Sequence, residues 1–291
     1  MTTYLERLAA RTEATGSVLC LGLDPDPNGL PDGFSPDLAG VERFAALLLE
    51  AALPSAAAVK PNLAFFEAYG SAGIAALERI RASIPGDVPV IADAKRGDIG
   101  PTAARQAVAL FDVLGADAVT VNPYLGSDAI APLLERVDRF AYVLCRTSNP
   151  GSGEIQDLVV EADLEGRPRE RLHERVARLA TKWGPGGTVG LVVGATAPDD
   201  LPGIRAIAPA LPFLVPGVGA QGGAIEPVLV HGPATRGPAA GRPAGGLLIN
   251  VSRAIAAAAK DGRGDPRERI AAAAAEWAAR LPVLPSPQLT T

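Results

Sequence analysis

Short apolar runs alternate along this chain with longer stretches of mixed polarity. The short runs fall at 17–23, 56–60, 88–93, 117–121, 140–145, 188–194, 212–215 and 246–250. Their length and apolar content read as buried strands. The stretches that follow them carry helical spacing, near 38–53, 63–84, 99–115, 127–137, 168–183, 198–208, 223–230 and 252–260. Eight strands, each followed by a helix, predict a (β/α)8 TIM barrel, and 291 residues suit one such domain over 1–291. Extra helices near 3–13 and 266–280 are expected to close the two ends. A doubly wound sheet is the alternative, weakened because no Gly-x-Gly-x-x-Gly turn follows the first strand. Two segments break the rhythm. Residues 24–37 are rich in Pro, Asp and Gly and predict an extended first loop. Residues 232–246 are low in complexity and predict a mobile insertion.

Composition narrows the function classes. Hydrophobic residues make up 48% of the chain and aromatics only 4%, so the core rests on Ala, Val, Leu and Ile. A formal net charge of −5 argues against general nucleic-acid binding, which needs a basic face. The N-terminal stretch lacks the apolar core of a signal peptide, and no charge-free apolar run is long enough to span a membrane. Cys20 and Cys145 lie in apolar runs and are expected to be buried, reduced thiols. A cytoplasmic protein is the expectation. His173 sits in a charged helical stretch and is expected to be solvated, while His231 adjoins a Pro/Gly-rich segment. With two histidines so placed, neither a His-based triad nor a His-rich metal site is expected, and acid–base chemistry falls to carboxylates and lysines.

A barrel carries its active site at the C-terminal ends of its strands. In this chain those ends are polar: Asp24, then Lys60-Pro61-Asn62, Asp93 and Lys95, Asn122-Pro123-Tyr124, Arg146 to Gly151, Pro216 to Gly223, and Asn250 to Arg253. Side chains two apart on a strand share a face, so Asp93 and Lys95 are expected to point together, with Ala94 opposed. Gly97 permits a turn, and Asp98 lies at a helix start. Strands two and three adjoin in a barrel, which places Lys60 beside Asp93 and Lys95 in one coupled set of charges. Gly217, Gly219, Gly222 and Gly223 free backbone N–H groups for an anion, and Ser252 and Arg253 open the next helix. The loops after strands seven and eight are the usual phosphate position of this fold.

Taken together, Lys60-Pro61-Asn62, Asp93-Ala94-Lys95-Arg96-Gly97-Asp98-Ile99-Gly100, Ser148-Asn149-Pro150-Gly151, Pro216 to Gly223 and Ser252-Arg253 resemble the orotidine 5′-phosphate decarboxylase family. They look most like its longer bacterial branch, which carries Asn-Pro-Gly after strand five. The Asp-x-Lys-x-x-Asp element alone is shared with a wider group of sugar-phosphate enzymes; the full set is specific. The resemblance implies conversion of orotidine 5′-monophosphate to UMP and CO2, with no metal and no organic cofactor. It implies Lys95 as proton donor, Asp93 near the substrate carboxylate, and Lys60 and Asp24 on the ribose hydroxyls. It implies Ser148 on the pyrimidine, and Gly219, Gln221, Ser252 and Arg253 about the phosphate. Asp98 and Thr102 are implied to act in the partner subunit's site, so a homodimer with shared active sites is expected. Whether Asp24 or Asp26 faces the ribose stays open.

The nearest rival is a magnesium-dependent sugar-phosphate synthase or decarboxylase of the wider group. It would call for an acidic metal ligand near the end of strand two, where this chain has Lys60. A Schiff-base aldolase would want a lysine in an apolar pocket, whereas both candidate lysines have anionic neighbours. A non-catalytic phosphoribosyl-binding protein would have little use for the Asp93, Lys95 and Asp98 set.

Overall fold

Eight of the apolar runs pair side by side, all parallel. A computed structural model describes residues 2–162, 166, 168–260 and 263–284. Its strands are β1 (Leu19–Leu23), β2 (Ala58–Pro61), β3 (Ile91–Arg96), β4 (Ala118–Val121), β5 (Phe140–Arg146), β6 (Val159–Val160), β7 (Glu170–Arg171), β8 (Val189–Val193), β9 (Phe213–Val215) and β10 (Leu248–Val251). The main sheet runs β2-β1-β10-β9-β8-β5-β4-β3. Bridges Val59↔Val90 and Asn62↔Asp93 join β2 to β3 and close it into the expected (β/α)8 barrel. β6 and β7 form a separate antiparallel ribbon within the excursion between β5 and β8, which the sequence pattern did not predict.

The pleat sorts each strand into two faces. Leu19, Leu21 and Leu23 face the surrounding helices, in one core with Phe44, Leu48 and Leu77. Cys20, Ala58, Ile91, Ala118, Tyr142, Val192, Leu214 and Leu248 fill the barrel interior. Two residues further along, the same inward face carries Gly22, Lys60, Asp93, Thr120, Leu144, Gly194, Pro216 and Asn250. The interior therefore changes from an apolar layer to a polar one near the C-terminal mouth. The expected N-terminal helix, Tyr4–Thr15, opens on a capping box between Thr3 and Glu6. It seals the opposite end: Tyr4 stacks on Phe140 at 4.8 Å, and its hydroxyl lies 3.0 Å from that of Tyr142. The second expected extra helix, Pro266–Arg280, packs on the helix Leu38–Ala52 rather than on the other mouth.

Several expectations change in the structure. The helix expected over 63–84 is split into Ala64–Glu67 and Gly70–Ser83, because Gly70 takes φ +61° between them. The one expected over 99–115 starts as Gly100–Ala107 and widens into a π-helical turn at Val108–Val113. Of 127–137, only Ala131–Leu134 is helical. Residues 232–246, read as a mobile insertion, fold as a short helix, Gly237–Ala240, and a 3-10 turn, Pro243–Gly246. Ala234 and Ala239 are buried with Tyr4 and Leu8, so this segment packs at the barrel floor, far from the polar mouth. Its small side chains permit that close fit: a Cβ on Gly245 would meet the backbone of Ala234 at 2.4 Å.

His173, expected in solvent, is buried, and its Nδ1 lies 2.9 Å from the Gln156 carbonyl oxygen. The helix Leu172–Ala180 turns it inward, under the loop that follows β5. Both cysteines are unpaired and buried as expected, and burial pushes each thiol up to about 12.

Candidate active site

The inward residues of β2, β3 and β4 meet at one carboxylate. Lys60 donates to Asp93 Oδ2, and Lys95 Nζ donates to Asp93 Oδ1 at 2.6 Å. Thr120 Oγ1 also donates to Oδ1, at 3.0 Å. The same hydroxyl accepts the N–H groups of Ala94 (3.1 Å) and Lys95 (2.9 Å). One threonine thus uses its donor and both acceptor positions to tie the end of β3 to β4.

This convergence departs from the regular pleat. Pairing with β4 jumps from Ala92↔Val119 to Arg96↔Val121, a bulge that takes in Asp93, Ala94 and Lys95. Lys95 sits at φ +47°, a left-handed conformation that a lysine rarely adopts. Asp93 and Lys95 do face the same space, but the bulge aims them, not simple alternation. Strained residues of this kind cluster at functional sites.

Burial sets the electrostatics. Lys60 is 5% exposed, and burial opposes its charge. The nearby carboxylates of Asp93 and Asp24 outweigh that effect and hold the ammonium above its ordinary range. Burial would likewise raise Asp93, yet Lys60 and Lys95 hold it well below the usual carboxylate range. The carboxylate is therefore fully ionised at neutral pH. Lys95 is the open end of the chain of charges, with half its side chain exposed.

The cavity above this cluster measures about 560 Å³. Asp24, Lys60, Asp93 and Lys95 line it, and so do Ser148, Gly219, Gln221, Ser252 and Arg253. Nine of the eleven residues singled out from sequence therefore share one space. Asp98 and Thr102 lie outside it. Asp98 accepts the N–H of Ile99 at 2.8 Å, and Thr102 is exposed near the start of the next helix. The structure separates Asp24 from Asp26. Asp24 lines the cavity, with a buried Oδ1 that has no hydrogen-bond partner among the described residues. Asp26 is exposed and caps the turn Pro27–Gly29 through the N–H of Asn28, at 3.0 Å.

On the far wall, Ser148 Oγ lies 3.2 Å from Gln221 Oε1, and Gln221 Nε2 donates to the Ser148 carbonyl at 3.4 Å. Gly217 sits at φ +99°, and a Cβ there would stand 3.0 Å from Ser148 Cβ, so the loop after β9 needs glycine to lie this close. Arg253 is exposed at the cavity edge and holds no ion pair among the described residues. The helix it opens is short, Arg253–Ala256, before a 3-10 turn.

Several lining residues received no role from sequence, among them Asn62, Thr120, Gln156 and Asn250. Thr120 carried a readable signal, a lone hydroxyl in the apolar run Ala118-Val119-Thr120-Val121. Gln156 carried none, since its place depends on how the loop after β5 folds back. Asp157, His173 and Asp200 bring three potential ligand atoms within 4.8 Å, the grouping that a sequence with two separated histidines did not lead us to expect. Arg146 pairs with both of those carboxylates, at 3.2 Å and 2.9 Å, and Arg171 adds a further contact to Asp200. Two guanidinium groups thus already neutralise the cluster, which reads as an ion-pair network.

A polar mouth with paired lysines around one carboxylate, and a glycine loop facing an arginine, can hold a phosphorylated substrate and stabilise negative charge on it. Comparisons agree with that geometry. Residues 17–265 match the Orotidine 5'-phosphate decarboxylase / HUMPS family. The orotidine 5'-phosphate decarboxylase of Halorubrum lacusprofundi is 47% identical over 280 residues, covering 96% of each chain. That of Herpetosiphon aurantiacus is 46% identical over 253 residues, covering 87% of this chain and 88% of its own. Among solved structures, the OMP decarboxylase of Leishmania donovani superposes with a TM-score of 0.78 at 39% identity, covering 95% of this chain and 96% of its own. By sequence over most of its length, and by a fold that superposes on such an enzyme, the chain belongs to the orotidine 5′-phosphate decarboxylase family.

Proposed function

We propose that this cavity carries out the decarboxylation of orotidine 5′-monophosphate to UMP, the closing step of de novo pyrimidine synthesis, with Lys95 as the proton donor. The observation that carries the assignment is the Lys60–Asp93–Lys95 charge chain, set inside a cavity whose opposite wall is the Gly217–Gly223 loop with Arg253. Gly219, Gln221, Ser252 and Arg253 hold the phosphate, Ser148 meets the pyrimidine, and Lys60 and Asp24 bind the ribose hydroxyls. The orphan Oδ1 of Asp24 supports that last role, because a hydroxyl would supply the donor it lacks.

In the reaction the bond from C6 to the carboxylate breaks. CO2 leaves, the electron pair stays on C6, and the Lys95 ammonium transfers a proton to it. A positioned general acid accounts for about 10²–10⁴-fold. Whole enzymes reach about 8–23 kcal/mol of barrier reduction. The larger share therefore falls to the fixed positive charge of Lys95 beside the developing carbanion. Asp93 keeps that ammonium in place through its 2.6 Å contact. Phosphate binding at the remote wall contributes by ordering the loop over the substrate.

Asp98 and Thr102 serve the partner subunit's site in a homodimer. Three exposed apolar residues support this, Ile99, Tyr124 and Leu125, on the two loops that the Asp98 N–H to Ala129 carbonyl bond holds together. The proposed compartment is the cytoplasm, supported by two buried, unpaired thiols; no helix among the described residues is long and apolar enough to cross a membrane. The magnesium-dependent rival needs an acidic ligand where β2 ends, and there the Lys60 ammonium meets Asp93 instead.

Purified protein, given orotidine 5′-monophosphate and excess chelator, should consume it with loss of the substrate's ultraviolet absorbance. Lys95→Ala should abolish turnover and leave the far-ultraviolet circular dichroism unchanged. Absence of turnover by the wild type would overturn the reading, and a strict need for added magnesium would transfer it to the rival.

A further inference from the structure

The loop that presents Ser148 is clasped by a side chain eight residues beyond it. Gln156 Oε1 accepts the N–H of Thr147 at 2.9 Å, and Gln156 Nε2 donates to Thr147 Oγ1 at 2.8 Å. Thr147 Oγ1 in turn donates to Asn149 Oδ1 at 2.6 Å, so both neighbours of Ser148 are held. The clasp has a rigid base. The backbone carbonyl of Gln156 meets the buried His173 ring at 2.9 Å, and Arg146, at the end of β5, reaches Ser152 at 3.4 Å and Asp157 at 3.2 Å. Arg146 also pairs with Asp200 at 2.9 Å, which ties the loop to the element after β8. The loop carries short turns at Pro150–Ser152 and Gly153–Gln156, so these side chains, together with Gln221 and Thr196 at the Ser148 carbonyl, place Ser148 where no sheet ladder does.

We infer that Gln156 is a positioning residue that sets Ser148 against the substrate's ring, with His173 and Arg146 fixing Gln156 in turn. The inference rests on the assignment of Ser148 to the pyrimidine. Chemically the clasp is specific: a side-chain amide presents one acceptor and one donor in a plane, matching the amide N–H and hydroxyl of a single threonine. An isosteric leucine satisfies neither. Misplacement of a contacting group by about 1 Å costs on the order of 10²-fold.

A double-mutant cycle on the full-length enzyme tests this. Gln156→Leu should lower kcat/KM by about 10–100-fold and reproduce the kcat-to-KM split of Ser148→Ala. In the Ser148→Ala background the same change should cost less than about threefold, because the group it positions is already gone. Gln156→Glu keeps an acceptor for Thr147 N–H and can accept from the Thr147 hydroxyl, so it should retain more activity than Gln156→Leu. Full additivity of the two losses, or unchanged kcat/KM in Gln156→Leu, would overturn the positioning role. If Ser148→Ala alone leaves kcat/KM unchanged while Gln156→Leu lowers it, the assignment of Ser148 fails, and the Gln156 inference with it. Should Gln156→Leu not fold, Gln156→Ala, which also removes both contacts to Thr147, carries the same cycle with the same two readings.

Discussion

Asp93→Asn isolates the central charge of the site with almost no change of shape. In the native protein this carboxylate is shared by Lys60, Lys95 and Thr120, and its side chain is only 11% exposed. Lys60 is buried as deeply, at 6% for the side chain, and would be left with Asp24 as its remaining nearby anion. Removing one partner of a buried pair costs about 3–5 kcal/mol. Because Asp24 still offsets part of the Lys60 charge and Lys95 is half exposed, the lower end applies, about 3 kcal/mol. For a domain of this size that corresponds to a fall in Tm of about 5 °C. The pH dependence follows from the two directions. Asp93 is depressed in the folded state, so its stabilisation is complete above the unfolded carboxylate range and is lost as pH falls below about 4. Lys60 is raised, so its share is complete below the unfolded lysine range and is lost only above about pH 10. Between pH 6 and 8 the difference between wild type and variant should therefore be flat. Urea denaturation followed by circular dichroism across pH 3–9 measures it. A difference below about 1 kcal/mol, or one that changes between pH 6 and 8, would refute the account of a buried, charge-coupled carboxylate.

Thr120→Val keeps the size of the side chain but leaves the N–H groups of Ala94 and Lys95 without their acceptor; kcat should fall and stability should drop by about 1–3 kcal/mol, read by steady-state kinetics and melting. Mixing Lys95→Ala with Asp98→Ala should restore activity that neither has alone, because a mixed dimer would contain one intact site; no recovery despite proven subunit exchange would count against shared sites. Arg205→Met tests a purely structural cation. Arg205 donates to the carbonyls of Ala208, Leu211, His231 and Gly232 at 2.5–3.1 Å and lies 3.7 Å over the Phe213 ring, away from the cavity. The variant should lose about 2–4 kcal/mol of stability, measured by denaturation, with kcat/KM unchanged.

The strands were legible because a parallel strand covered on both faces must be apolar throughout, and eight such runs stand clear of their surroundings. The charges at their ends were legible for the complementary reason: Lys60 and Asp93 interrupt apolar runs where the barrel opens. Helix limits were less readable. Gly70 breaks one helix through a backbone conformation that the surrounding apolar spacing does not announce. Residues 232–246 read as a mobile insertion because their composition is simple, and the same small residues suit a close-packed floor. His173 looked solvated because its neighbours in sequence are charged, but Arg171 precedes the helix as its N-cap and Glu174 turns back to accept the Arg171 N–H, while His173 is buried.

The sequence by itself determined the barrel, through strand periodicity and chain order, and the family, through the resemblance of its motifs. It also named nine of the residues that share the mouth, because chain order suffices to say which strand ends meet at one end of a barrel. Tertiary structure alone decided how those residues meet. The bulge and the left-handed Lys95 aim the ammonium, Asp24 rather than Asp26 reaches the cavity, and Gln156 folds back on Thr147. Each of these depends on contacts between strands or across a loop, and neither hydrophobic spacing nor residue type records which partner a polar group will find.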